Sequence, residues 1–240
     1  MRPQIEYLDH HQTAGAMAEY MGVAVSDLPE GEYAAVEKVT LSSHNGTHMD
    51  APYHYFSRMN ESVVDGGEPS AKIDEVPLEW CFNPAVKLDF RHFEDGYVAT
   101  AADVQAELKR IGHDLRPLDI VLVNTSAGAH FGEDDFIDRG CGVGYEATCW
   151  LLDQGVRVTG IDGWSWDAPF SHTREKIKAG GSPNLIWEGH RAGRHKGYCH
   201  IEKLWRLDRL PDTGFEVIAF PFKIQAGSAG WTRAVAVVNG

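Results

Sequence analysis

Three histidines and one aspartate lie within the eleven residues from His44 to His54, with the sequence His-Asn-Gly-Thr-His-Met-Asp-Ala-Pro-Tyr-His. Imidazole and carboxylate groups together suit Zn²⁺, Mn²⁺ or Fe²⁺, and no cysteine lies nearby to form a thiolate site. The alternative interpretation is a solvated loop whose histidines bind nothing. The spacing of His44, His48 and Asp50 favours a metal site, as the geometry of an extended chain indicates.

In an extended segment every second side chain points to the same face, so His44, His48, Asp50 and His54 would share one face. At a rise of roughly 3.3 Å per residue, a straight strand would hold His44 and His48 roughly 13 Å apart. The strand must therefore bend for both imidazoles to reach one ion. Gly46 lies between them and is the residue best able to bend the backbone. Gly46, Thr47 and Pro52 argue against a helix here.

The pattern His-x-Gly-Thr-His-x-Asp-x-Pro-x-His resembles the signature of the cyclase-like metal-dependent hydrolases, a family that includes bacterial kynurenine formamidase and isatin hydrolase. The resemblance implies an α/β fold of the swivelling β/β/α type. It also implies that His44, His48 and Asp50 are metal ligands and that His54 is a general acid or base. A structural role for His54, bonded to a neighbouring carbonyl, is the alternative. Family members are usually dimers or tetramers, so a homodimer or homotetramer is expected.

The resemblance also implies a second pair of ligands later in the chain. In kynurenine formamidases a histidine and a glutamate twelve residues apart join the shared aspartate to hold a second ion, and here His190 and Glu202 have that spacing. His195 and His200 are rival candidates for the histidine. The expected cofactor is therefore Zn²⁺ or Mn²⁺, as one or two ions.

Residues 160–167 resemble another segment of the family, in which an aspartate pair and a serine lie near the site. Asp162 could orient a ligand histidine, or it could cap a turn. Ser165 is expected near the site by the same resemblance. Trp166 and Phe170 could form part of an aromatic wall of the substrate pocket, although aromatic residues are more often core.

The elements that must position these residues follow from hydrophobic periodicity. Residues 118–124 and 156–162 read as buried strands separated by a helix over 145–152, so these strands should be parallel. Thr100 should cap a helix with Asp103 as its capping partner, and Gly112 should end that helix. Further predictions are a half-buried strand at 36–42, strands at 84–89, 216–222 and 234–238, and a turn at 227–230.

We expect one α/β domain over residues 1–240, with a mixed sheet and flanking helices, because 240 residues with 43% apolar content can bury one large core. Residues 1–35 contain a short strand at 5–8 and a helix at 13–21. By the resemblance, this region could gate the substrate pocket or serve as an arm.

The composition excludes several classes of partner. A formal net charge of −13 without a dense Lys/Arg stripe argues against nucleic-acid binding. No run of eighteen apolar residues and no signal-peptide core occur, so we expect a cytoplasmic protein that does not associate with membranes. The four cysteines are widely spaced and are expected to be reduced thiols.

These features together predict a metal-dependent hydrolase that uses activated water to cleave a C–N bond of a small amide, formamide or cyclic amide. Lactone or ester hydrolysis at the same site is the first alternative, because the same nucleophile would perform it. A non-catalytic protein that binds a metal or small ligand is the second.

Overall fold

A computed structural model describes residues 2–238, and the chain divides into two compact units, Met1–Asn45 and Gly46–Gly240. The first unit contains strand β1 (Gln4–Leu8), helix α1 (His10–Met21) and strand β2 (Val36–Thr40), and the two strands pair antiparallel. The strand and helix predicted here are confirmed, although α1 begins at His10 rather than at Thr13. The assignment of the whole chain to one domain and the gating role of residues 1–35 stay predictions.

Strand β2 is exposed along its length, so the prediction that it is half-buried was wrong. Its partner β1 is also exposed from Gln4 to Tyr7. A two-stranded sheet has no second layer of its own to cover one face. The alternation of Val39 and Leu41 with polar residues therefore predicted the strand but not its burial.

The second unit carries the large sheet and its helices. In chain order its elements are β3 (His48–Asp50), α2 (Pro52–Tyr55), β4 (Arg58–Met59), β5 (Glu68–Pro69), β6 (Phe82–Asp89), β7 (Val98–Ala99), α3 (Ala101–Ile111), β8 (Ile120–Asn124), β9 (Gly142–Val143), α4 (Tyr145–Asp153), β10 (Val158–Ile161), α5 (Phe170–Lys178), α6 (Glu188–His195), β11 (Cys199–Glu202), β12 (Phe215–Ile218), β13 (Ala229–Trp231) and β14 (Val235–Val238).

An eight-stranded mixed sheet forms in the order β13-β3-β11-β10-β8-β6-β12-β14. The central strands β11, β10, β8 and β6 are parallel to one another. The strands on either side of them, β3 with β13 and β12 with β14, pair antiparallel. The predicted α/β class with a mixed sheet and flanking helices is confirmed.

The parallel pairing of β8 and β10 confirms the predicted crossover through α4. Every residue of β8 is buried, which explains why this strand reads as a continuous apolar run. Leu122 packs into the core on one face of the sheet, whereas Val121 and Val123 pack into the core on the other. The sheet therefore separates two apolar layers and provides a rigid support for residues at strand ends.

Helix α3 begins and ends as predicted. The Thr100 hydroxyl accepts a hydrogen bond from the Asp103 backbone N–H, and the Asp103 carboxylate accepts one from the Thr100 N–H. Gly112 ends the helix with a φ of 73°. This reciprocal cap and the left-handed glycine are local signals that need no tertiary partner.

Residues 227–230 do not simply turn between two strands, so that prediction was incomplete. Ala229–Trp231 form β13, which pairs with β3 at the edge of the sheet. A Cβ on Gly230 would lie 2.3 Å from the Phe222 carbonyl oxygen, so this position requires glycine. A strand of three residues that contains glycine has no apolar alternation, and it was therefore read as a turn.

Among residues 2–238, no helix is both long enough and apolar enough to span a lipid bilayer.

Candidate active site

The neighbouring strands β3 and β11 supply most of the site. They pair antiparallel with His200 opposite Asp50 and Glu202 opposite His48. The residues between these, Met49 and Ile201, pack into the core. Because side chains alternate across a strand, His48, Asp50, His200 and Glu202 project to the other face and lie together.

The segment after β3 bends into a helix rather than staying extended to His54, so the predicted extended conformation was wrong there. Pro52 is the first residue of α2, where its missing N–H costs no hydrogen bond. Gly46 has a φ of 63°, which confirms that glycine bends the backbone before His48. The helix places His54 with its Nε2 3.9 Å from Asp50 Oδ2.

Helix α6 brings His190 to the same cluster. One donor atom from each of Asp50, His190, His200 and Glu202 lies within 4.8 Å of the others, and all four residues are buried. His200 Nε2 is 3.0 Å from Asp50 Oδ2 and 3.4 Å from Glu202 Oε1. His190 Nε2 is 4.0 Å from the same glutamate oxygen. These donors are of the type that Zn²⁺ and Mn²⁺ accept, so the group fits a divalent ion.

The three buried histidines have the same orientation. Their Nδ1 atoms contact structural partners, which are the Gly46 carbonyl for His48 at 2.8 Å, the Asp167 carboxylate for His190, and the Tyr198 hydroxyl for His200 at 3.3 Å. The carbonyl and the carboxylate can only accept, so Nδ1 of His48 and Nδ1 of His190 donate these hydrogen bonds. Nε2 of each of the three rings faces the two carboxylates and is the nitrogen that a metal ion would bind.

The electrostatics of the cluster favour a cation. Burial lowers the pKa of His200, but its hydrogen bonds to Asp50 and Glu202 outweigh burial and raise that pKa to about 9. Burial raises the pKa of Glu202, yet the hydrogen bond from His200 and the charge of Lys203 bring it well below its ordinary value. Both carboxylate contacts therefore stabilise positive charge in this buried space.

His54 lies at the rim of the cluster. Its side chain is 24% exposed, whereas His48 and His200 are fully buried. Its ring centroid is 5.6 Å from that of His190 and 5.5 Å from that of Trp187. Trp187 adopts a left-handed backbone with φ of 58° and stacks on His190 with a centroid distance of 4.8 Å. A substrate that enters from solvent can therefore contact His54, whereas the other imidazoles of the cluster are buried.

The structure distinguishes the two rival candidates for the ligand histidine, His195 and His200. His200 lies in the cluster beside His190 and does not replace it. His195 instead contacts Asp153, with Nε2 3.3 Å from Oδ1. His44 belongs to the first compact unit, and its role as a ligand stays a prediction.

Asp167, rather than Asp162, contacts a histidine of the cluster. Asp162 accepts hydrogen bonds from Asn124 Nδ2 at 2.6 Å and from the backbone N–H and hydroxyl of Thr125 at 2.9 and 2.8 Å. Burial outweighs these bonds and raises the pKa of Asp162 to about 6. The interpretation that Asp162 orients a ligand histidine was therefore wrong, because it anchors the turn at Thr125. The sequence indicated Asp167 only indirectly, because it forms with Asp162 the aspartate pair of residues 160–167.

Trp166 supports the cluster from within the core. Its backbone N–H donates to Glu202 Oε1 at 3.1 Å, and its indole N–H donates to the Thr148 hydroxyl at 3.0 Å. The fully buried ring does not form a wall open to substrate. Ser165 is nearly buried beside it, and Phe170 is 48% exposed at the start of α5. A place for Ser165 or Phe170 in a substrate pocket stays a prediction.

Replacing Asp167 by asparagine should weaken metal binding by about 10- to 100-fold, because the carboxylate that orients His190 Nδ1 is lost. Isothermal titration of the metal-stripped variant with Zn²⁺ measures this change. Asp153→Asn is the matched control, since Asp153 pairs with the surface residue His195. An unchanged affinity in Asp167→Asn would contradict the orienting role.

Tyr55 was missed by the sequence analysis, although it packs between the helices and the cluster. Its hydroxyl accepts from the His200 backbone N–H at 3.0 Å and donates to the Asp50 carbonyl at 3.3 Å. A Cβ on Gly193 in α6 would lie 2.2 Å from the Tyr55 ring. The absence of a side chain at Gly193 therefore allows the ring to reach both strands.

Gly193→Ala should reduce the free energy of unfolding by about 1–3 kcal/mol, because the added methyl group overpacks against Tyr55. Urea unfolding measures the change. Gly15→Ala in α1 is the control, since a Cβ there meets no heavy atom of the described residues within 4 Å. That variant should be as stable as the wild type or slightly more so. Equal stability of all three proteins would disprove the tight contact.

Comparison with known proteins agrees with this architecture. A family model named Cyclase, described as "Putative cyclase", matches residues 4–168. A kynurenine formamidase from Salinibacter ruber is 31% identical over 196 residues, which cover 81% of this chain and 76% of that protein. A kynurenine formamidase from Erythrobacter litoralis is 28% identical over 215 residues, which cover 87% of this chain and 79% of that protein.

The fold is also shared with solved structures. An isatin hydrolase bound to the product analogue thioisatinate superposes with a TM-score of 0.75 at 20% identity, covering 100% of this chain and 83% of that chain. At this identity the likeness concerns the fold alone. The match of the family model and the sequence identity to the Salinibacter protein together show the family of this chain. The chain belongs to the cyclase-like hydrolase family.

Proposed function

We propose that this protein is a metal-dependent hydrolase that cleaves a C–N bond of a small amide, formamide or cyclic amide. The observation that carries the proposal is the buried group Asp50, His190, His200 and Glu202, whose donor atoms lie within 4.8 Å of one another beneath a partly exposed His54. A structural metal site would not require a titratable side chain at its open edge. A hydrolase requires one to move a proton.

The residues that would hold the ion are His190, His200, Asp50 and Glu202, with His48 beside them. The chemistry such an ion supplies when bound is polarisation of a substrate carbonyl and a lower pKa of coordinated water, toward about 7. The ligand set accepts Zn²⁺ and Mn²⁺ alike, so either ion is compatible with it.

The side chains around the cluster have separate tasks. His54 Nε2 faces Asp50 Oδ2 at 3.9 Å and can accept a proton there and transfer it to the departing nitrogen. Trp187 covers His190 with its indole ring and shields that side of the cluster from water. Asp167, Tyr198 and Gly46 hold the imidazoles in place, so that the site is organised before substrate binds.

The relatives named kynurenine formamidase and the structural neighbour named isatin hydrolase support a formamide or a cyclic amide as substrate. The test is spectrophotometric hydrolysis of N-formylkynurenine, isatin and a panel of lactones, before and after chelation and with Zn²⁺ or Mn²⁺ restored. We expect turnover of at least one amide, its loss on chelation and its recovery with metal. Activity that survives exhaustive metal removal would refute the mechanism.

The same assay addresses the alternatives. Turnover of lactones but not of amides would favour ester hydrolysis at this site. No turnover by metal-loaded protein would favour a binding protein. The position of His54 at the open edge of the cluster argues for catalysis over binding alone.

A further inference from the structure

A groove of about 450 Å³ lies on the face of the large sheet opposite to the candidate active site. Its floor includes Leu122 of β8, Val217 of β12 and Ala236 of β14, and Val217 pairs with Ala236 in register. Leu122 and Val217 belong to the same apolar layer as Met49, whose neighbour Asp50 projects to the other face. The sheet therefore separates this groove from the metal-binding cluster.

One wall of the groove is the segment that follows β11. Its lining residues include Leu204, Leu207 and Leu210, and the first two are buried. Lys87 in β6 holds this segment against the sheet, because its Nζ donates a hydrogen bond to the Leu210 carbonyl at 2.6 Å. The wall is therefore fixed in place before any ligand binds.

The exposed part of this wall presents an aromatic ring and a cation. Trp205 is 56% exposed, and the guanidinium carbon of Arg206 lies 3.9 Å from the centre of its ring. The backbone of Arg206 has a φ of 64°, a left-handed conformation that bears a steric cost for any residue except glycine. Such a cost is typical of positions with a specific task, and here the conformation accompanies a guanidinium held beside an indole.

The charge of the groove is unusual for this chain. Arg206 and Arg233 both line it, and none of the described residues that line it is acidic. Neither of these two guanidinium groups forms an ion pair with a carboxylate of residues 2–238, whereas Arg110 and Arg194 do. The chain has 35 acidic residues against 22 basic ones, so a groove with two arginines and no carboxylate indicates a site for an anion.

The lining side chains also limit the kind of anion. Apart from the arginines, the polar group among the described lining side chains is the indole N–H of Trp205, and the other side chains are aliphatic. A sugar or polyol would find few partners there, whereas a guanidinium group binds a carboxylate through two parallel hydrogen bonds. Mostly apolar clefts of roughly 300–1,000 Å³ with a few polar groups are typical of small-molecule sites.

We propose that this groove binds an apolar monocarboxylate, which is a fatty acid of medium chain length or an aromatic acid. Its carboxylate pairs with Arg206 and Arg233, and its apolar body lies on the floor formed by the sheet. The site is separate from the proposed hydrolase centre, and it requires neither the metal ion nor turnover.

The experiment is calorimetric titration of the full-length, metal-loaded protein with octanoate and, separately, with benzoate. We expect one carboxylate per chain, and the two probes show whether an aliphatic or an aromatic body is preferred. Octanol and octylamine are the matched probes for octanoate. Octanol should bind at least about 10-fold more weakly, because it lacks the charge that the arginines recognise, and octylamine should not bind.

Two variants locate the carboxylate. Arg206→Gly and Arg233→Gln should each weaken octanoate binding by about 10-fold or more. Glycine is chosen at position 206 because it adopts a φ of 64° without steric cost, so the variant should fold. Arg209→Gln is the matched control, since it removes an exposed charge three positions from Arg206 that does not line the groove. Circular dichroism and thermal unfolding establish that each variant is folded.

Several outcomes would overturn the proposal. These are the absence of saturable binding of either carboxylate to the wild type, unchanged binding in both arginine variants, and an equal loss in Arg209→Gln, which would show a general attraction of charge. Octanoate should also bind equally well before and after chelation. Its loss on chelation would place the carboxylate at the metal-binding cluster instead. A failure of the hydrolase assay would leave the result of this titration unaffected.

Discussion

Asp50→Ala should bind a divalent metal ion more than about 100-fold more weakly than the wild type and should have no measurable hydrolase activity. Asp50 joins two histidines of the site through different oxygens, since Oδ1 lies 3.2 Å from His48 Nε2 and Oδ2 lies 3.0 Å from His200 Nε2. Changes in residues that only orient ligands cost about 10- to 100-fold in metal affinity, so removal of the central carboxylate should cost more.

The measurement is Zn²⁺ affinity by calorimetry together with turnover at saturating metal. Asp50→Asn keeps the size of the side chain and should show the same loss, which separates the charge from packing. Asp114→Ala, at an exposed aspartate, is the matched control and should behave as the wild type. Retention of wild-type metal affinity by both Asp50 variants would disprove the placement of the ion.

His54→Ala should retain its metal but lose turnover by about 10²- to 10⁴-fold, which is the usual contribution of a positioned acid or base. His54 lies 3.9 Å from Asp50 Oδ2 at the rim of the cluster, where its side chain is 24% exposed. It is therefore close enough to exchange a proton in the site without belonging to the four buried donors.

Bound metal per chain and kcat must both be measured on the same preparation of His54→Ala. His195→Ala is the control, because His195 pairs with Asp153 and should affect neither quantity. If His54→Ala lost metal as severely as Asp50→Ala, His54 would have to be assigned to the ligands. If it kept both metal and turnover, another residue would have to move the proton.

The local sequence was sufficient for features whose causes are local. The cap at Thr100, the bend at Gly46, the helix end at Gly112 and the buried run of β8 were all predicted, because backbone preferences and side-chain hydrogen bonds over a few residues produce them. The spacing of His48 and Asp50 was equally informative, since residues two apart on a strand share a face.

Several features of the site depended on pairings that the sequence does not display. His200 and Glu202 also lie two apart, and their neighbours Cys199 and Ile201 are core residues, so the alternation of β11 was present in the sequence. Its four residues were too short a signal to predict a strand. Only the register with β3 brings this pair to Asp50, about 150 positions earlier in the chain.

The amino-acid sequence by itself determined which residues could bind a metal and which family the chain resembles. It also determined the parallel crossover that supports the site. The tertiary structure decided that His200 joins His190, that Asp167 rather than Asp162 orients an imidazole, and that Lys203 lies against Glu202. The physical reason is that hydrophobic periodicity reports which face of an element is buried. It contains no information on which distant element covers that face, because that depends on the packing of the whole sheet.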